Sequence, residues 1–196
     1  MKLKSIQLNS LMVTVGVLLA VFSRLMPHPA NFAPMMAIGI FGGALFFKRI
    51  WAILIPIISI WLSDLVIDNV FLAQYFDGFT WFYEGWYWQY VVYAIIPIIS
   101  MFVFKKNISV GKLLGMNIGT ALLFFLVSNF GVWAGGTMYP KTGEGLLTCY
   151  AMGLPYLKGS LLSNLFYSSV LFGAYYLIEN KTKLFVSEAR HQWKWI

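Results

Sequence analysis

Residues 122–164 read LLFFLVSNFGVWAGGTMYPKTGEGLLTCYAMGLPYLKGSLLSN, a stretch that begins and ends in apolar sequence and keeps polar and turn residues between. Its first part acquires Asn129, then Trp133 and several glycines, and Tyr139 opens a Tyr-Pro turn. Its last part becomes apolar again and carries Asn164. Polar side chains at membrane depth are costly unless they have partners, so we expect them to face a bundle interior or a cavity. The stretch therefore predicts two membrane helices, a polar loop between them, and one wall of a small-molecule site.

The composition is that of an integral membrane protein. Hydrophobic residues make up 60% of the 196 residues and charged residues 11%, whereas soluble domains carry roughly a quarter charged residues. Apolar runs of about 20 residues recur, and each is long enough to cross the bilayer as a helix. Unbroken apolar runs without strand-like alternation argue against a transmembrane barrel. The sequence predicts one all-α, polytopic membrane domain with six transmembrane helices, at about residues 8–25, 31–47, 50–67, 86–104, 113–132 and 159–178.

The basic residues predict the orientation of this bundle. Six spans put both termini on one side, together with Lys2, Lys4, Lys48, Arg49, Lys105, Lys106, Lys112, Lys181, Lys183, Arg190 and Lys194. The other side holds only Arg24, Lys141 and Lys158. The positive-inside rule therefore predicts that both termini are cytoplasmic. The net charge of +7 is a topology signal and does not indicate nucleic-acid binding, because the charges are not clustered on a soluble face.

Polar residues gather near the predicted outer ends of the helices. Trp61, Asp64 and Asp68 are spaced i, i+3, i+7, which places them on one helical face. The two carboxylates could act as a proton relay, as a metal pair, or as partners of Arg24. The aromatic residues could wall a pocket or simply anchor the helices at the membrane interface. We expect ligand binding by Asn129, Trp133, Asp64, Trp61, Asn164, His28, Arg24, Tyr139 and Gln89.

In the hypothesis that follows, a partly aromatic ligand stacks on Trp133 and Trp61. Asn129, Asn164 and Asp64 then hold its polar edge. An alternative is that Asn129 and Asn164 hydrogen-bond one another across two helices. Cys149 has no neighbouring base in the sequence and is expected to be a packed residue.

Pairs of small residues predict close contacts between helices. Gly16 and Ala20 are spaced for such a contact, either inside the bundle or with a second subunit, and Gly39 with Gly43 and Gly115 with Gly119 repeat the spacing. The sequence contains no Walker A loop, no dinucleotide-binding glycine fingerprint, no HExxH and no Gly-x-Ser-x-Gly. We expect no metal and no cofactor. A solute moved against its gradient would therefore need energy from a partner or an ion.

Two segments carry a resemblance to known proteins. RLMPHPANFAPMMAIGIFGGALF, at residues 24–46, and SNFGVWAGGTMYPKTGEGLLTCYAMGLPYLKGSLLSNLFY, at residues 128–167, resemble uncharacterised bacterial six-span membrane proteins. Those proteins in turn resemble the substrate-binding S components of energy-coupling factor transporters. The resemblance implies a six-helix bundle that captures a vitamin-like micronutrient from outside and releases it when coupled to a transmembrane subunit and two ATPases. It also implies that Gly16 and Ala20 meet the coupling subunit.

The predicted function is therefore that of a substrate-binding subunit of a micronutrient transporter, and not that of an enzyme. The resemblance leaves the ligand open, and His28 and Cys149 keep cobalamin among the alternatives, since related binders use such residues near cobalt. Two other classes remain open. One is a membrane enzyme acting on a lipid or quinone through Asp64, Asp68 and His28, and the other is a scaffold subunit of an envelope complex.

Overall fold

The computed structural model describes residues 17–46 and 48–181, which form helices and loops and contain no strand. Six α-helices follow one another: α1, of which residues 17–25 are described, then α2 (Met35–Leu45), α3 (Arg49–Val66), α4 (Trp86–Val103), α5 (Val110–Gly135) and α6 (Gly143–Lys181). A π-helical turn, Ile67–Phe71, extends α3, and a short 3-10 helix, Ala73–Tyr75, follows it. The all-α prediction is confirmed for these residues. Residues 8–16 of the first predicted span and Phe47 of the second lie outside them.

Among the described residues, three helices are long and apolar enough to cross a membrane: Arg49–Phe71, Trp86–Val103 and Val110–Gly135. They coincide with the predicted spans 50–67, 86–104 and 113–132. The chain is therefore a helical membrane protein. α6 contains the predicted span 159–178, but this 39-residue helix is less apolar on average than the three others.

α2 is short and central. Its 11 residues extend about 16 Å at 1.5 Å per residue, against a hydrocarbon core of roughly 30 Å. It contacts α3, α4, α5 and α6, and seven of its residues are buried. A Cβ on Gly43 would overlap the carbonyl oxygen of Pro97 in α4, so the predicted close packing of Gly39 and Gly43 is confirmed within the bundle. Gly115 and Gly119, in contrast, face open space among the described residues.

The connection between α1 and α2 explains why the second helix begins at Met35 and not near Asn31. Asn31 has a φ of 57°, a left-handed conformation that asparagine tolerates better than most residues. Pro34 is the N-cap of α2, and its fixed φ suits a helix start. The Ser163 hydroxyl of α6 donates to the carbonyl oxygen of Ala33 at 2.6 Å. Protein contacts of this kind allow non-helical backbone at membrane depth.

The loop between α5 and α6 is shorter than predicted, because α6 begins at Gly143. The Thr142 hydroxyl accepts a hydrogen bond from the backbone N–H of Gly145 at 3.1 Å, which caps the helix. Glu144 adds a negative charge to the first turn, where the helix dipole favours it. The Lys141 ammonium donates to the carbonyl oxygens of Trp133, Ala134 and Gly136 at the end of α5. These contacts reduce the connection to residues 136–142.

The two ends of the bundle differ in charge. We call the end that holds the loops 46–48 and 104–109 the basic end, because Lys48, Arg49, Lys105 and Lys106 lie there, exposed. The opposite end, where α3 ends, residues 72–85 follow and α4 begins, is the aromatic end. We call residues 72–85 the aromatic segment. Lys2, Lys4, Lys183, Arg190 and Lys194, which also entered the predicted charge asymmetry, lie outside the described residues, and the orientation stays a prediction.

Candidate functional site

An ion pair between the partly buried Arg24 and the buried Asp64 lies at the aromatic end. The Arg24 Nη1 atom is 2.7 Å from Asp64 Oδ1 and also donates to the Ser63 hydroxyl at 2.5 Å and the Ile60 carbonyl oxygen at 3.2 Å. The Tyr90 hydroxyl donates to the second carboxylate oxygen of Asp64 at 2.9 Å. Asp64 is only 6% exposed. Of the three roles considered for this carboxylate, the structure shows the ion pair with Arg24.

The positions of these residues in their helices account for the network. Asp64 lies in the last turn of α3, where the helix dipole disfavours a negative charge, so the carboxylate needs a cation nearby. Arg24 lies at the end of α1, where the dipole favours a positive charge. Tyr90 lies in the second turn of α4 and reaches Asp64 from the other side. The Asp64 carboxylate of α3 thus binds residues from two other helices, α1 and α4.

Asp68 lies one turn beyond Asp64, in the π-helical turn. It is also 6% exposed, yet it makes no hydrogen bond and no ion pair with any residue between 17 and 181 that the structure describes. Burial of a carboxylate without a partner is costly, and π-helical turns are frequent at functional sites. Asp68 is therefore a buried carboxylate of this region that has no partner among the described residues.

Asn69 joins the aromatic segment to the end of α3 through hydrogen bonds from its side chain. Its Nδ2 donates to the carbonyl oxygens of Leu65 at 2.9 Å and Thr80 at 2.8 Å, and its Oδ1 accepts from the Thr80 backbone N–H at 2.7 Å. At the other end of the segment, Gly85 has a φ of 79° and leads into α4. Sequence reasoning missed Asn69, although an amide directly after Asp68 at a helix end is a signal for a side-chain-to-backbone bond.

An open apolar groove of about 250 Å³ lies between α3, α4 and the aromatic segment, lined by Ile57, Ile58, Trp61, Phe82, Trp86 and Tyr90. The Trp86 ring stands almost perpendicular to Tyr90, with centroids 4.9 Å apart, and is 4.5 Å from Phe82. Tyr90 belongs to both features, because its ring lines the groove while its hydroxyl binds Asp64. Sequence reasoning found Trp61 but not Phe82 or Tyr90, which reach the groove only through the tertiary fold.

Tyr83, in the aromatic segment, lies within the electrostatic field of this site. Burial raises the pKa of its hydroxyl, and the negative charge of Asp64 raises it further. The phenol therefore stays protonated and uncharged at neutral pH.

Three of the expected ligand-binding residues lie elsewhere, at the end of α5 and in the following loop. Asn129 Nδ2 donates to the Phe125 carbonyl oxygen at 2.8 Å, and the Cys149 thiol donates to the Asn129 carbonyl oxygen at 3.3 Å. Trp133 Nε1 donates to the Pro140 carbonyl oxygen at 2.9 Å, and Tyr139 is half-buried in the loop. The Cys149 bond joins α6 to α5 and the Trp133 bond joins α5 to the loop, whereas Trp61 lies in the groove.

Asn164 belongs to a third cluster, which we call the polar seam: Asn117, Thr120, Asn164 and Ser168. Asn164 Nδ2 donates to the Asn117 carbonyl oxygen and to the Thr120 hydroxyl, each at 3.1 Å. The Ser168 hydroxyl donates to Asn117 Oδ1 at 2.7 Å. Asn164 is fully buried and bonds α5, so the alternative of a direct bond to Asn129 is not what the structure shows.

The remaining expected residues lie outside the groove. His28 is exposed, with its Nδ1 2.8 Å from the Pro29 carbonyl oxygen, and Gln89 is half-buried on α4. Ala20 is buried inside the bundle, as one of the two alternatives for the small-residue pair requires, while Gly16 lies outside the described residues. Within residues 17–46 and 48–181, no three His, Cys, Asp or Glu side chains are grouped to hold a metal ion.

The chain belongs to a family of unknown function, DUF6580, whose model matches residues 4–188. The match includes every residue of the ion pair, the groove and the polar seam. No curated protein and no solved structure matched the chain.

Proposed function

We propose that this protein is a membrane subunit that binds a small organic molecule in the groove at its aromatic end. One observation carries the proposal: the buried Arg24–Asp64–Tyr90 network and the aromatic groove share Tyr90. Buried charge at membrane depth is expensive and is usually retained for function. Apolar pockets with a few fixed polar groups are the usual form of small-molecule sites.

The size of the groove limits the ligand. Small-molecule pockets commonly measure about 300–1,000 Å³, and this groove of about 250 Å³ lies just below that range. It suits a ligand of one or two rings that stacks on Trp61 and Trp86.

In this proposal, binding in the groove serves the uptake of the ligand into the cell. The resemblance to S components of energy-coupling factor transporters supports capture of a vitamin-like micronutrient from outside a bacterial inner membrane. The aromatic end would then face outward, which the basic residues at the opposite end favour. Because the sequence has no ATP-binding motif, a coupling subunit and ATPases would supply the energy.

The site is tested with the purified protein in lipid nanodiscs, titrated with a panel of water-soluble vitamins and their one-ring and two-ring fragments. Trp61→Ala is expected to weaken binding at least tenfold, about 1.4 kcal/mol, because it removes one wall of the groove. Trp133→Ala is the matched control, since this tryptophan lies in a different cluster, and it is expected to leave affinity within about twofold.

Two results would contradict the proposal. Loss of binding in Trp133→Ala with retention in Trp61→Ala would move the site to the loop between α5 and α6. Absence of binding across the whole panel, with stable co-purification of other membrane proteins, would favour a scaffold subunit.

A further inference from the structure

The stretch of chain that lines the groove is acidic. Residues 50–104 contain Asp64, Asp68, Asp77 and Glu84 but no Lys, Arg or His. Arg24, from α1, forms its ion pair with Asp64. The apolar walls of the groove come from α3, α4 and the aromatic segment, all of which lie within this acidic stretch. The elements that form the groove therefore carry more negative than positive charge.

Asp68 is the carboxylate that remains available. Both oxygens of Asp64 already have partners, Arg24 and Tyr90. Asp68 is equally buried, has no partner among the described residues, and lies on the same helix as the groove residue Trp61, two turns further on. A buried carboxylate in this state is stabilised by a positive charge brought close to it. Asp77 and Glu84 are exposed, and they contribute long-range attraction rather than contact.

The aromatic walls favour the same class of ligand. Trp, Tyr and Phe rings present a negative face that attracts ammonium and related cations, and tryptophan does so best. The groove offers the indoles of Trp61 and Trp86 and the rings of Tyr90 and Phe82. A bare metal ion is disfavoured, because the described residues form no metal-ligating group. An anionic ligand would meet uncompensated negative charge.

We infer that the groove selects an organic cation, either an amine, a quaternary ammonium or a charged nitrogen heterocycle, over neutral or anionic molecules of the same shape. This inference rests on the proposed function, because it names the class of molecule that the same groove binds. Cation–π contact with Trp61 and Trp86 and the charge of Asp68 act on the ligand together. The polar seam has no part in this selection.

The test uses three one-ring probes of similar shape: benzyltrimethylammonium, N,N-dimethylbenzamide and phenylacetate. Each is titrated by calorimetry into the protein in nanodiscs, with empty nanodiscs as the blank. We expect benzyltrimethylammonium to bind at least tenfold more tightly than the neutral amide, and phenylacetate to bind most weakly. Asp68→Asn, which keeps the side-chain shape, should remove about tenfold of the cation's affinity and leave the amide's unchanged.

Asp77→Asn is the matched control, because it removes the same charge from an exposed position. It should change the affinity of the cation less than about twofold, and added salt should reduce even that difference. Size-exclusion profiles of both variants establish that they are folded.

The outcomes separate this inference from the proposed function. Equal binding of the cation and the neutral amide, or an Asp68→Asn variant that keeps the cation preference, overturns the inference and leaves a binding groove. Failure of all three probes and of the vitamin panel overturns the proposed function, and the inference with it.

Discussion

The bundle contains two polar clusters, and they differ in charge and in their exposure. The cluster around Asp64 is charged, lies at the aromatic end and shares Tyr90 with an open groove. The polar seam around Asn164 is neutral and buried, and its hydrogen bonds join α5 to α6, although Asn164 Oδ1 has no partner among the described residues. The charged cluster thus lies beside an opening, whereas the cluster that joins helices is uncharged and buried.

Among substitutions in or between the two clusters, Asp64→Ala is expected to lower stability most. Asp64→Ala leaves the partly buried Arg24 without its counter-charge; removing one partner of a fully buried pair typically costs about 3–5 kcal/mol, and we expect a loss toward the lower end of that range. Thermal unfolding in detergent measures the loss. The double variant Arg24→Met with Asp64→Leu should recover most of the stability, since it removes both charges. An Asp64→Ala variant as stable as the wild type would show that the pair is solvated and not buried.

A smaller effect is expected where α2 packs against α4. Gly43→Ala would place a methyl group 2.6 Å from the Cβ of Ser100 and against the α4 backbone, which cannot move aside cheaply. Overpacking of this kind costs typically about 1–3 kcal/mol. Gly119→Ala is the control, because nothing lies within contact distance of Gly119 and alanine favours helix. The same unfolding assay should show a loss for Gly43→Ala only, and equal losses would contradict the packing of α2 against α4.

The smallest effect is expected in the polar seam. Asn164→Ala removes two hydrogen bonds to α5, and interhelical bonds in membranes contribute about 0.6–2 kcal/mol. Stability should fall by that amount, and the affinity for benzyltrimethylammonium should stay within about twofold. Asn117→Ala, which removes the acceptor for Ser168, should behave alike. A variant of the seam that loses ligand binding while it stays folded would assign the seam to the site.

The sequence predicted what depends on composition and local spacing. Long apolar runs gave the helices that could cross a membrane, and i, i+3 spacing placed Trp61 and Asp64 on one face of α3. The spacing of Gly39 and Gly43 predicted a close helix contact. Arg24 was among the alternatives considered for partnering Asp64, because so few charges lie near that end of the chain.

The sequence could not reveal what depends on the arrangement of the helices. Trp61 and Trp133 were assigned to one site because each shares a helical face with polar residues, but in the fold Trp61 lines the groove while Trp133 packs on Phe130 and donates to Pro140. Phe82 and Tyr90 lie among many aromatic residues, and nothing local distinguishes the two that line the groove. Thr142 is of a residue type that often caps a helix, but the neighbouring glycines are typical of a loop.

The short length of α2 has a consequence for how the protein is made. A segment of 11 helical residues is too brief to be inserted by the translocation machinery as an independent membrane helix, which takes about 20 apolar residues. It depends on the helices packed around it, and the Ala33 carbonyl finds its hydroxyl donor only after Ser163 has been synthesised. The contacts at the centre of the molecule are therefore completed only once α6 has been made.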